Sequence, residues 1–178
     1  MSLMKLTLAS LVATTLVVGV AGFACGRKAD ASPAESTAAA TAPGGSTASS
    51  DGKWTAGVKP VGTYKKGEQG YFEVVVNAVG DFHVNDDYPT AFLTTDPAPA
   101  NVTFPKTKLS RKGGDASAFT TEVCSNDKDH ACVLHVKVPF TASAAGTYKL
   151  GGTLKVGMCS KASCLNEKIS LDFDATVK

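Results

Sequence analysis

The sequence predicts an all-β domain made of two packed antiparallel sheets. Three observations predict it: four long stretches alternate apolar and polar residues with period two, helix-period segments are missing, and turn residues punctuate the stretches. Phe72, Val74 and Val76 share one face, opposite Tyr71, Glu73, Val75 and Asn77, and Val79-Gly80-Asp81 then supplies a turn. Leu134, Val136, Val138 and Phe140 form a second series. Tyr148, Leu150, Gly152, Leu154, Val156 and Met158 form a third, opened by the turn Ala144-Ala145-Gly146. Ile169, Leu171, Phe173, Ala175 and Val177 form a fourth, with Ser170, Asp172, Asp174 and Thr176 facing water. Weaker candidates are Trp54 to Val58, Phe82 to Val84, Val102 to Phe104 and Ala118 to Val123.

Seven or eight short strands over roughly 125 residues, each with one apolar face, suit an immunoglobulin-like sandwich. A closed barrel accommodates the same alternation and is the alternative. Asp86 to Asp115, with Pro89, Pro97, Pro99 and Pro105, reads as a long surface excursion.

Residues 1–24 read as an export signal: Lys5 is the lone charge, an apolar run from Leu6 to Val20 follows, and Ala21-Gly22-Phe23-Ala24 provides small residues for cleavage. A retained membrane anchor is the alternative, but Gly19 to Gly26 dilutes the run below the ~20 apolar residues a span needs. Cys25 follows the signal at the place where a lipobox has its cysteine, although Gly22 and Phe23 depart from that motif. Five cysteines leave one unpaired in an oxidising compartment, and lipidation of Cys25 removes the anomaly. Cleavage after Ala24 by the ordinary signal peptidase is the competing route.

Residues 25–52 then form a lipid-anchored tether, because positions 26–52 contain no Ile, Leu, Val, Met or aromatic residue. The folded domain is expected over 53–178, on the periplasmic side of a bacterial membrane. The whole chain has 18 basic and 16 acidic residues, and the signal removes only Lys5. So balanced a charge predicts no nucleic-acid partner.

The other four cysteines fall in two local pairs, Cys124 with Cys132 and Cys159 with Cys164, each flanking a polar segment. Cys159 to Cys164 should cap a hairpin, with Cys159 opposite in facing to Met158 and so within reach of another protein. Ring closure stabilises by ~2 kcal/mol for the shorter ring and slightly more for the longer, so stability does not separate staple from active pair. Surroundings differ: Lys161, Lys155 and Lys168 favour a thiolate at the shorter ring, whereas Glu122, Asp127 and Asp129 surround Cys124, partly offset by Lys128 and His130. Cys124, His130, Cys132 and His135 are metal-ligand types, but the spacing has neither a CxxC knuckle nor paired histidines, and no metal site is predicted. His83 reads as a strand-face histidine, and the sequon Asn101-Val102-Thr103 carries little weight in a bacterial lipoprotein.

Two stretches carry a resemblance to a known family. Phe72-Glu73-Val74-Val75-Val76-Asn77-Ala78-Val79-Gly80-Asp81-Phe82-His83-Val84-Asn85 is one; Gly152 to Cys159, then Cys164-Leu165 and the strand Ile169 to Phe173, is the other. They resemble the N-terminal, periplasmic, immunoglobulin-like domain of the thiol:disulfide interchange protein DsbD over roughly residues 55 to 177. That resemblance implies a module relaying a dithiol/disulfide state between a transmembrane thiol reductase and periplasmic thiol/disulfide proteins, through Cys159 and Cys164 and without a cofactor. It also implies that Cys164 attacks first, and that a loop within Asp86 to Asp115 shields the pair. The chain departs from the family in a shorter ring, in Asn166-Glu167 where a proline pair usually stands, and in the added Cys124 and Cys132. The family's membrane and thioredoxin-like domains are not in this sequence, so partners would supply both. The competing reading is a non-catalytic immunoglobulin-like lipoprotein whose two bridges are structural and whose surface binds a partner.

Overall fold

The structure is a computed structural model, and it describes residues 45–49 and 51–178. The export signal, Cys25 and most of the tether lie outside those residues. Among the described residues eleven strands occur in chain order: β1 Ser46–Ala48, β2 Trp54–Val61, β3 Gln69–Ala78, β4 His83–Val84, β5 Ala91–Thr94, β6 Val102–Thr103, β7 Lys108–Ser110, β8 Phe119–Val123, β9 Ala131–Ala142, β10 Gly146–Cys159 and β11 Cys164–Val177. Every pairing between two of these strands is antiparallel, and an isolated parallel bridge ties Tyr64 to Val177 of β11.

Two layers follow from the pairing. One runs β1-β2-β3-β9 and continues to β8; the other runs β11-β10-β5-β7. They join at one corner, where Val84 of β4 pairs with Ala131 of β9 and with Met158 of β10. Among the described residues neither layer closes on itself, so the architecture is an open all-β sandwich rather than a barrel.

The period-two series form the core between the layers. Phe72 of β3 meets Phe173 of β11 with ring centroids 5.3 Å apart and Phe92 of β5 at 6.1 Å, so the contacts cross from layer to layer. Phe72, Leu134, Leu150, Leu154 and Met158 are fully buried. Removing such large apolar groups from water is the main favourable contribution to folding, about 1.5–3 kcal/mol for each side chain.

Two expectations change. Asp86 to Asp115 is not only a surface excursion: it contains β5, β6 and β7, and β5 pairs with β10 from Ala91↔Lys155 to Thr94↔Gly152. Phe92 is fully buried and Leu109 is 4 % exposed. Ala91, Phe92 and Thr94 are all buried, so β5 does not show the alternation that marks a half-exposed strand. The tether, in turn, does not run free to residue 52. Ser46–Ala48 pairs with the edge of β2, from Ser46↔Gly57 to Ala48↔Thr55, and Val58 N–H donates to the Gly45 carbonyl at 2.9 Å.

Candidate functional site

β10 and β11 pair without a break from Gly146↔Val177 to Cys159↔Cys164. Their tip closes tightly: Ser160 N–H donates to the Ser163 carbonyl at 2.8 Å, and Ser160 Oγ accepts the N–H groups of Ala162 and Ser163. This turn sets the two cysteines opposite each other with Cα atoms 4.0 Å apart, and they form a disulfide. The second bridge, Cys124–Cys132, closes the polar loop between β8 and β9, with Cα atoms 4.8 Å apart. Both local pairings read from the sequence are therefore present, and both are structural bridges between strand ends.

The sulfurs of the hairpin are not equivalent. Cys164 is exposed, whereas Cys159 is 6 % exposed, contrary to the expectation that Cys159 faces outward. The reason lies in β4 and the turn after it. His83 pairs with Cys159, and Asn85 N–H continues the ladder by donating to the Gly157 carbonyl at 2.9 Å. Tyr88 then lies over Gly157, so close that an added Cβ there would sit 2.6 Å from Tyr88 Cβ. The outward face of β10 is thus covered by residues 83–88 at its cysteine end. From this cover the Asn85 side-chain amide donates to Cys159 Sγ at 3.3 Å, while its oxygen accepts Asp87 N–H at 2.8 Å.

Of the three lysines expected near the ring, only Lys161 stands at the tip. Lys155 pairs with Lys168 four register steps from Cys159↔Cys164, about 14 Å along the strands at ~3.4 Å per residue. At that distance, exposed charges are largely screened.

Beside the hairpin lies a cleft of about 210 Å³ whose walls include His83, Cys124, Asp127, His130, Cys132 and Lys161. The rings of His83 and His130 approach to 4.0 Å between centroids, and His130 Nδ1 bonds to Asp127 Oδ2 at 2.8 Å. Burial, and then the neighbouring His130, push the His83 pKa below its ordinary value, while Asp127 and Asp86 pull the other way. Asp127 is held below the usual carboxylate range by its bond from His130 and by the Asp129 N–H. His135, grouped in sequence with these residues, is elsewhere, between Glu73 at 3.3 Å and Glu122 at 3.0 Å. A larger cleft of about 440 Å³, between Tyr71, Lys106, Leu109, Asp115, Lys137 and Pro139, contains no cysteine.

Sequence reasoning missed Asn85 and gave His83 no neighbour. His83 lies on a strand of two residues and Asn85 follows it directly, and so short a strand is below the length at which periodicity can assign a partner. No family model, curated protein or solved structure matches this chain.

Proposed function

We propose that this chain is a thiol:disulfide exchange module that relays reducing equivalents through Cys159 and Cys164. The observation that carries the reading is the asymmetry of the pair: one sulfur open to a partner, the other covered and in contact with an amide donor. Exchange requires an attacking thiolate, an accessible sulfur and a leaving thiolate, with no separate base or cofactor.

In the oxidised protein a partner's thiolate attacks Cys164 Sγ. The Cys159–Cys164 bond breaks, its electron pair leaves on Cys159, and Asn85 stabilises the departing sulfur. A second partner thiolate then attacks its own sulfur in the mixed disulfide, releasing Cys164; each freed thiolate takes a proton from water. The net change reduces this disulfide and oxidises a partner dithiol. In reverse, the exposed Cys164 attacks an acceptor disulfide and Cys159 resolves the product.

The proposed partners are a transmembrane thiol reductase as donor and periplasmic thiol/disulfide proteins as acceptors, with the chain held at the membrane by a lipid on Cys25. This follows the resemblance to the N-terminal domain of DsbD. The rival, a partner-binding lipoprotein with inert bridges, draws support from the burial of Cys159. The reduction potential of the Cys159/Cys164 pair separates them. Exchange calls for a value above about −300 mV, and a potential well below that, as inert bridges have, sinks the relay.

A further inference from the structure

We propose that the cleft beside the hairpin is a latent metal site, in which Cys124, Cys132, His83 and His130 hold one Zn²⁺ ion once the Cys124–Cys132 bridge is reduced. All four side chains line the same cleft. Two thiolates and two imidazoles are a complete four-coordinate set for this cation.

The donors come from three places in the chain. His83 lies on β4, His130 ends the loop after β8, and the cysteines close that loop. His130 is already oriented: its Nδ1 is bonded to Asp127 Oδ2 at 2.8 Å, which leaves Nε2 as the ligating nitrogen. A carboxylate behind an imidazole in this way fixes the ring and raises its basicity toward a metal. The His83 ring, 4.0 Å from that of His130 between centroids, is the second nitrogen donor.

In the disulfide state the two sulfurs are bonded to each other, and among the described residues no group of three or more ligands is set to hold a metal. Reduction changes that. A dithiol gives up two electrons and its two thiol protons and becomes a disulfide, or a phosphine gives up two electrons and takes its oxygen from a water whose two protons complete the thiols; either way the S–S bond breaks and both cysteines become thiols. Zn²⁺ then displaces both thiol protons into solvent. The loop ends survive loss of the bridge, because Glu122↔Val133 and Val123↔Ala131 pair on either side of it and Cys124 N–H donates to the His130 carbonyl at 2.9 Å. Residues 125–130 are exposed and have room to close around an ion.

The test uses the full chain carrying Cys159→Ser and Cys164→Ser, which leaves Cys124–Cys132 as the bridge to be reduced and keeps this question apart from the exchange reading. Zn²⁺ affinity is measured by chelator competition before and after phosphine reduction. The expected result is one ion per chain, bound at least ~100-fold more tightly after reduction, with His83→Gln and His130→Gln each weakening it ~10-fold or more. Equal affinity before and after reduction overturns the site. So does full affinity in both histidine variants, which would assign the ion to sulfur alone, Cys25 included. Co²⁺ provides a readout that needs no histidine variant: a tetrahedral spectrum with sulfur charge-transfer bands, lost in Cys124→Ser, supports the site, and an octahedral spectrum overturns it.

Discussion

The side-chain amide of Asn85 donates to Cys159 Sγ at 3.3 Å across 74 positions of sequence. Sulfur in a disulfide is a weak acceptor, but a thiolate is a strong one. The contact therefore gains most of its strength as Cys159 leaves, and it favours attack at Cys164.

Replacing Asn85 tests that relationship. Asn85→Asp keeps the oxygen that accepts Asp87 N–H, so the turn survives, while the donor to sulfur is exchanged for a negative charge. The rate at which a small dithiol reduces the Cys159–Cys164 bridge should fall by about tenfold, the size of a charge-assisted hydrogen bond of ~1.5 kcal/mol. Asn85→Ala should fall by less. Unchanged rates in both variants would remove Asn85 from the chemistry.

Exposure predicts which half of the pair captures partners. Cys159→Ser leaves an exposed thiol at Cys164, and Cys164→Ser leaves a covered one at Cys159. Expressed in cells and resolved on non-reducing gels, Cys159→Ser should accumulate mixed disulfides at least about fivefold over Cys164→Ser, since exchange follows thiolate access. Similar or absent adducts in the two would count against the proposed direction of attack.

What the sequence revealed and what it hid follow from range. The alternation in Tyr148 to Met158 and Ile169 to Val177 is local, and so is the closure of Cys159 on Cys164, so strands, hairpin and bridge were all legible. β5 was hidden because Ala91, Phe92 and Thr94 are buried together between flanking prolines, which erases the period-two signal. β1 was hidden because Ser-Thr-Ala carries no apolar pattern, and its place at the edge of β2 comes from backbone hydrogen bonds. The cover over Cys159 was hidden for a third reason. His83 and Asn85 reach it only because β4 bridges both layers, a pairing that no neighbouring residue announces.

Acid should expose a different part of the molecule. Lys106 and, secondarily, the Ser110 N–H hold the Asp115 carboxyl below its ordinary value of 3.8. A carboxylate whose folded pKa lies below its unfolded value stabilises the fold fully above the unfolded value, and that contribution is lost as pH falls through the folded one. Thermal unfolding followed from pH 5 downward should therefore show a shallower loss of Tm below about pH 3.8 in Asp115→Asn than in the parent. Some slope will remain, because Asp51 and Asp127 are shifted in the same direction. Parallel curves for parent and variant would mean that the Lys106 contact does not persist in solution.

Gly157 links the fold to the reactivity of the hairpin. A methyl group at this position would lie 2.6 Å from Tyr88 Cβ and 2.7 Å from Tyr88 Cγ, so either the strand or the turn must move. β10 is held on one edge by β11 along its whole length, whereas residues 85–88 form a short turn, so the turn is the part that yields. Gly157→Ala should thus cost about 1–3 kcal/mol in a urea titration, the usual range for overpacking. It should also lift Asn85 away from Cys159, so that in the reduced protein alkylation of Cys159 relative to Cys164 rises by about threefold or more, read by mass spectrometry of the labelled peptides. Adding Tyr88→Gly removes the clashing atoms, and the double variant should then lose less stability than the two single changes summed. If Gly157→Ala destabilises the chain yet leaves the alkylation ratio where it was, the cover does not control access to Cys159, and the difference between the two sulfurs must arise from the hairpin itself.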